Sequence, residues 1–173
     1  MKSDRKILSD ICSFVSAKIF IEQLGLKDYV STENMIANKG GITTSSCLPS
    51  VPQTQAYSKG DVLISNIRPY FKKIWLADRK GGCSNDVLVF RAKVNVNSEY
   101  LYYVLSNDDF FSYSTLTSKG TKMPRGDKKA IMQYLVPDFD LLTQKCISKI
   151  LRSIDRKIEL NNKINDNLQA EPA

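Results

Sequence analysis

The sequence predicts an α+β fold, in which a β-rich domain of mixed, mostly antiparallel strands with short helices precedes one long C-terminal helix. Three observations predict it. Segments rich in β-branched and aromatic residues, bounded by turn residues, fill the middle of the chain. Apolar residues at helical spacing follow, and a second helical pattern then runs from Leu141 to Leu168. The expected division is a domain over residues 1–138 and a helix over residues 139–169.

The first third of the chain has the weakest pattern. "RKILSDICSFVSAKIFI" predicts a short strand or turn that leads into a helix. "DYVSTENMIANKGGITTSSCLPSVPQTQ" is rich in Ser, Thr, Asn, Gly and Pro, which favour turns. This second segment is therefore expected to be mostly loop, with one strand at Tyr29 to Ser31.

The middle of the chain carries the clearest strand signals. "GDVLISNI" is a β-branched strand entered through Gly60-Asp61, and "RPYFKKIWLAD" alternates well enough for a second strand. Arg68-Pro69 marks the break between them, because proline cannot donate to a ladder. "RKGGCSNDVLVFRAK" predicts a Gly-Gly turn followed by a strand from Val87 to Arg91.

Helical spacing returns in "NSEYLYYVLSNDDFFSYST", where Asn97 or Ser98 is the expected N-cap. The apolar residues at this spacing are Leu101, Val104, Leu105 and Phe111. Next comes the loop "SKGTKMPRGDKK", residues 118–129, which holds five cations and one anion. "DKKAIMQYLVPDF" then predicts a helical turn and a short strand ended by Pro137.

The C-terminal helix carries a narrow apolar stripe in one heptad frame, interrupted by Lys157 and Asn161. A narrow stripe on a rod roughly 40 Å long favours a partner helix. The alternative is a helix that packs back on its own domain. The residues expected to contact a partner are Ile147, Ile150, Leu151, Ile154, Ile158, Asn161, Ile164 and Leu168.

Charge and cysteine content narrow the function classes. Residues 1–137 hold 19 Lys and Arg against 12 Asp and Glu, whereas residues 138–173 hold six of each. A basic domain suggests a polyanionic partner, although a merely soluble basic protein has the same net charge.

The four dispersed cysteines and the absence of histidine argue against a metal site, and the dispersed spacing is typical of buried, reduced thiols. A polar N-terminus and the lack of a spanning apolar run predict a cytoplasmic protein without a membrane segment.

The sequence offers little for catalysis. Nucleophilic catalysis through histidine is excluded because the chain has none. Asp61, Asp78 and Lys80 loosely imitate a metal-dependent nuclease, a pattern that often arises by chance. "NIRPYF" resembles an adenine-binding motif of amino-methyltransferases but has one residue too many, and no Gly-rich cofactor loop follows a strand. The expectation is a chain without catalytic residues, metal or cofactor.

A cationic binding surface is the remaining candidate site. Lys and Arg neutralise phosphates, and Arg also reads base edges. Solvated lysines are the alternative, and Phe71 and Trp75 are expected in the core. The candidate DNA-binding residues are Lys39, Arg68, Tyr70, Lys72, Lys73, Lys119, Thr121, Lys122 and Arg125.

Six blocks, in order, carry a family resemblance. They are "YVSTENM", "GDVLISNIRPYFKKIWLA", "GGCSNDVLVFR", "YLYYVLSN" with a later Phe, "GTKMPRGDKKAIMQYLVP" and "QKCISKILRSIDRKIELNNKINDNL". Together they resemble the DNA specificity subunit of a type I restriction-modification system, over nearly the whole chain. The most specific feature is the junction of glycine, basic loop, "LVP" and long helix.

The resemblance implies a non-catalytic recognition subunit. Its target recognition domain would read one half of a bipartite site in double-stranded DNA, with Lys119 and Lys122 on phosphate and Arg68 as the first candidate for base contact. The spacer helix would pair antiparallel with another such helix and dock methyltransferase subunits, with the restriction subunit reached indirectly. S-adenosylmethionine, ATP and Mg²⁺ would belong to those partners.

The sequence departs from the family in having one recognition domain and one helix, where such subunits usually have two of each. A half-subunit that works as a homodimer, a truncated gene and a cassette for exchanging specificity are all compatible with this. A nuclease, and an interaction module or inactive remnant without DNA affinity, remain competing hypotheses.

Overall fold

Residues 4–170 are described by the computed structural model, with only the backbone described for Asp166 and residues 168–170. The elements of the first half are β1 (Arg5–Ile7), α1 (Leu8–Ile11), β2 (Cys12–Phe14), β3 (Lys18–Phe20), β4 (Tyr29–Val30), β5 (Gln53–Tyr57) and β6 (Val62–Ser65). Those of the second half are β7 (Ile74–Leu76), β8 (Gly81–Cys83), β9 (Val87–Ala92), α2 (Ser98–Leu105), α3 (Asp108–Leu116), α4 (Lys128–Ile131), β10 (Leu135–Pro137) and α5 (Leu141–Ala170).

The strands form two four-stranded sheets and one pair. The central sheet has the order β2-β9-β6-β7, and all of its pairs are antiparallel. The second sheet has the order β3-β5-β8-β4, in which β4 and β8 run parallel. Antiparallel β1 and β10 join the start of the chain to the segment just before α5. The predicted α+β class with mixed, mostly antiparallel strands is confirmed.

The central sheet is buried on both faces, which explains the continuous apolar runs in β6 and β9. Because side chains alternate along a strand, Val62 and Ile64 face one core cluster while Leu63 faces the other. The first cluster lies against the helices and includes Leu88, Phe90, Leu101, Leu105, Phe110 and Phe111. The second lies towards the other sheet and includes Val30, Tyr57, Cys83, Val87 and Val89.

Several strand predictions need correction. The predicted Gly-Gly turn is strand β8, because these glycines allow close packing: a Cβ on Gly82 would lie 2.6 Å from atoms of both Leu24 and Thr54. The predicted loop "QTQ" belongs to β5, which crosses between β3 and β8. In "RPYFKKIWLAD" the strand begins only at Ile74, since Pro69–Phe71 forms a 3₁₀ turn.

The helix predictions were right in kind and partly wrong in extent. The N-terminal helix is the single turn α1, because the chain extends again at Cys12 to pair with β9. The segment after Asn97 forms two helices, since Asn107 accepts from the Asp109 N–H and starts α3. Asn97 is confirmed as the α2 N-cap: its Oδ1 accepts from the Tyr100 N–H at 2.8 Å.

Helix α5 is anchored to the domain by polar contacts in its first half. The Asn97 N–H donates to Gln144 Oε1 (2.9 Å), and the Ser148 hydroxyl donates to Asn97 Oδ1 (3.0 Å). Further along, the Tyr103 hydroxyl donates to Asp155 Oδ2 at 2.6 Å.

None of the helices in the described part of the chain is both long and apolar enough to cross a membrane.

The four cysteines fall into two classes, which corrects the expectation that all are buried. Cys12 and Cys83 are fully buried, whereas Cys47 and Cys146 are exposed, and all four are free thiols. Burial raises the pKa of both the Cys12 and the Cys83 thiols to about 12, so almost no thiolate is present near pH 8.

A disulfide-exchange reagent at pH 8 should therefore label two thiols quickly in the native protein and all four in denaturant. Rapid labelling of all four native thiols would contradict this core.

Candidate nucleic-acid interface

Three segments distant in sequence are joined into one surface by backbone hydrogen bonds. The N–H groups of Asn38 and Lys39 donate to the carbonyl oxygens of Phe71 and Lys72, both at 2.9 Å. The Arg68 N–H donates to the Pro124 carbonyl at 2.8 Å, which attaches the basic loop to the same turn. We call this surface the cationic face and define it by Lys39, Arg68, Tyr70, Phe71, Lys72, Lys119, Thr121, Lys122 and Arg125.

The backbone of the cationic face holds a conformation that side chains disfavour. Four non-glycine residues of this region have positive φ: Asn38 (54°), Lys39 (63°), Arg68 (50°) and Lys72 (51°). Such left-handed conformations are uncommon outside glycine and concentrate at functional sites. The cross-segment hydrogen bonds hold these turns in place, so the face is fixed before any ligand binds.

Arg68 lies at the centre of the face and is half-buried. Its Nε is buried and has no hydrogen-bond partner among the described residues, and neither has the nearby Oδ1 of Asn66. Gly126 closes over this spot, since a Cβ there would lie 3.0 Å from Asn66 Oδ1. Leaving a buried polar atom unpaired costs free energy, so these two atoms require a specific explanation.

An aromatic pair projects from the same turn. Tyr70 is 47% exposed and Phe71 39% exposed, with their ring centroids 4.8 Å apart. The prediction that Phe71 fills the core is wrong, because Phe71 lies in the 3₁₀ turn before β7 begins and is exposed there. Trp75, by contrast, packs against the second cluster and meets the Tyr57 ring edge-on at 5.6 Å. The sequence feature that could have indicated an exposed Phe71 is its position between two cations, Arg68 and Lys72.

Carboxylates from neighbouring elements pair with four cations of the face. Asp108 holds two of them: Oδ1 lies 2.8 Å from Lys39 Nζ and Oδ2 lies 3.1 Å from Lys72 Nζ. Hydrogen bonds from Lys39 and Lys72, together with their charges, lower the pKa of Asp108. The remaining pairs are Arg125 with Asp86 at 3.1 Å and Lys119 with Asp127 at 2.5 Å.

Lys73 differs from the other candidates. Its Nζ donates to the Thr32 carbonyl at 2.6 Å, and the side chain is half-buried, so it tethers a loop to the sheet. Thr121 and Lys122 are exposed in the basic loop, and Lys122 makes no ion pair with any of the side chains that the structure describes. Eight of the nine predicted residues therefore lie on the cationic face, and Lys73 lies beneath its edge.

The apolar stripe on α5 divides between two environments. Ile147 and Leu151 are half-buried on the side towards the domain. Asn161 is exposed, and the Leu168 side chain lies outside the described residues. The uncovered members are Ile150 (62% exposed), Ile154 (49%), Ile158 (52%) and Ile164 (46%). Packing on the chain's own domain thus covers the apolar residues near the start of the helix that face the domain, and it leaves the other stripe residues exposed to water.

Asp61 and Asp78, the two carboxylates of the nuclease hypothesis, bind arginine side chains instead. Asp61 is 2% exposed and accepts from both Nε and Nη2 of Arg91 at 2.7 Å, a contact that raises the pKa of Arg91. Asp78 pairs with Arg79 at 2.7 Å, and Arg79 also lies over the Trp75 ring. Among the described side chains, no three potential metal ligands come together. These contacts stabilise turns between strands.

A basic surface built from loops lies on the mixed sheets, and the domain is joined to a long helix whose apolar stripe is uncovered. The family model described as "Type I restriction modification DNA specificity domain" matches residues 4–170. The chain therefore belongs to this family, whose role in restriction-modification is DNA recognition rather than catalysis. A sequence search of curated proteins returned no match.

Solved structures share the fold at low sequence identity. The HsdS subunit from Thermoanaerobacter tengcongensis is 20% identical with a TM-score of 0.67, and the alignment covers 96% of this chain and 45% of that one. A structure described as "Structural basis underlying complex assembly and conformational transition of the type I R-M system" is 20% identical with a TM-score of 0.69, covering 98% and 46%. The type I S subunit from M. genitalium is 15% identical with a TM-score of 0.62, covering 96% and 44%. The chain thus spans less than half the length of these structures.

Proposed function

We propose that the chain reads double-stranded DNA through the cationic face as the specificity component of a type I restriction-modification complex. One observation carries the proposal: the candidate residues from three separate segments lie together on a preformed surface. Preformed donors suit DNA recognition because their ordering entropy is lost on folding rather than on binding. The family match supports the same role.

Within the face, phosphate and base contacts fall to different residues. Lys119, Lys122 and Arg125 lie on the outer loop and serve as phosphate contacts, which fix register without reading sequence. Arg68 contacts a base edge, because it stands on the turn that joins the basic loop and its terminal guanidinium nitrogens can form paired hydrogen bonds to guanine. Tyr70 and Phe71 flank it and offer apolar contact within a groove.

Helix α5 serves assembly in this proposal. Its uncovered stripe pairs with an equivalent helix, from a second copy or from elsewhere in a longer chain, and methyltransferase subunits dock beside it. The restriction subunit is reached through them. The chain itself needs no cofactor; S-adenosylmethionine, ATP and Mg²⁺ act on the partner subunits, in the cytoplasm.

A second candidate is an interaction module without DNA affinity. The uncovered stripe on α5 favours it, as do the ion pairs that occupy four cations of the face. It predicts capture of methyltransferase subunits by the chain, with no binding to duplex DNA even at low salt.

The phosphate assignment is tested by Lys122→Gln. Binding to duplex DNA should weaken by the same roughly threefold to tenfold factor on every sequence, with a salt slope smaller by about one, because one phosphate contact is lost. Fluorescence anisotropy on several unrelated duplexes at several salt concentrations measures both. Lys59→Gln is the matched control, since Lys59 is exposed near the far end of β6. A loss confined to some sequences, or equal in the control, would contradict the assignment.

A further inference from the structure

Asp108 occupies an unusual position on the cationic face. It is the first residue of α3, and each of its carboxylate oxygens holds a different lysine, Lys39 or Lys72. Its carboxylate makes no other hydrogen bond or ion pair within the described part of the chain. Asp127, by comparison, also caps α4 through the N–H groups of Lys129 and Ala130. Apart from its charge at the start of α3, Asp108 therefore acts only towards these two lysines.

We propose that Asp108 competes with DNA phosphate for Lys39 and Lys72 and thereby lowers the affinity of the face for DNA of any sequence. This inference rests on the proposed DNA-binding function and adds an internal competitor to it. A domain that must find one site among many benefits from weak general binding, because tight binding everywhere would hold it on the wrong DNA.

The geometry makes this competition reversible. The side chain of Asp108 is 60% exposed, and the side chains of Lys39 and Lys72 are each about one third exposed. Both ion pairs therefore face solvent. Exposed pairs of this kind contribute little to folding, and a phosphate group can replace the carboxylate without unfolding the domain. Without Asp108, two ammonium groups would share one site uncompensated, and a bound phosphate would relieve their repulsion.

The test compares Asp108→Asn with Asp109→Asn. Both remove one negative charge from the first turn of α3, so their effects on net charge and on the helix dipole match. Asp109 makes no ion pair within residues 4–170, which leaves competition for the lysines as the difference between the variants. Melting temperatures report whether either change disturbs the fold.

Asp108→Asn should bind a random-sequence duplex roughly threefold to tenfold more tightly, with a salt slope steeper by up to about two, because two lysines become available to phosphate. Asp109→Asn should change neither quantity by a comparable amount. Adding Lys39→Gln and Lys72→Gln to Asp108→Asn should abolish the gain.

Three results would overturn the inference. Weaker binding by Asp108→Asn would mean that Asp108 positions the lysines for DNA. An equal gain in DNA affinity for Asp108→Asn and Asp109→Asn would mean that the change in net charge, and not competition for the lysines, causes the gain. Failure of the wild type and both variants to bind any duplex at low salt would remove the proposed function itself, and this inference with it.

Discussion

Replacing Arg68 with alanine should remove the preference of the domain for its target sequence while leaving most of its general DNA affinity. A paired contact from arginine to guanine contributes about 1–3 kcal/mol of discrimination, equivalent to roughly fivefold to 150-fold in relative affinity. Alanine keeps a Cβ, so the positive φ of this position stays equally strained and the turn is not relaxed. The measurement is the ratio of dissociation constants for target and random duplexes.

Arg68→Lys is the matched control for that experiment. Lysine keeps the charge and the stem but cannot form the paired hydrogen bonds of a guanidinium. The base-reading role predicts that both variants lose discrimination, while the salt slope of each stays close to that of the wild type because no phosphate contact is lost. If both variants kept the wild-type ratio, Arg68 would be a phosphate contact or a structural residue.

Replacing Ile154 with aspartate should prevent assembly through α5 while leaving the domain folded. Ile154 is 49% exposed in the single chain, so an aspartate there stays in water until a partner covers it. Burial of an unpaired carboxylate in an apolar helix interface is opposed by several kcal/mol, enough to lower association by roughly a thousandfold. Light scattering at several concentrations, with and without the methyltransferase subunit, measures the change in assembly.

Asn162→Asp provides the control for the helix experiment, since it adds the same charge next to Asn161 but outside the predicted stripe. Its assembly should match the wild type. Equal assembly by the wild type and the Ile154→Asp chain would exclude this stripe as the contact surface.

The sequence was sufficient for the fold class because local and long-range signals agree in the core. Val62 to Ile64 and Val87 to Phe90 are β-branched or apolar at every position, and both strands are buried on both faces. Gly81 and Gly82 misled because glycine is typical of turns, whereas here the missing side chains admit Tyr57 and Leu24. Only the close approach of β5 side chains within the same sheet, and of Leu24, distinguishes these two uses of glycine.

The candidate site was predictable residue by residue but not as a surface. Charge next to Gly or Pro identified Lys39, Arg68 and Lys119 as loop cations, yet nothing local indicated that their three segments would lie against one another. The carboxylates that pair with these cations were also missed, since Asp108 comes from a helix start far along the chain from Lys39. Contact of these residues with DNA remains a prediction.

The central claim, that the cationic face reads DNA sequence, is tested most directly by selection from a random duplex pool. The chain and its methyltransferase subunit would be incubated with the pool, and the bound DNA would be sequenced. If the cationic face reads sequence, the wild type should enrich one defined motif, and that motif should be lost when Arg68 is replaced by alanine. An unenriched pool, or the same motif from both chains, would contradict it.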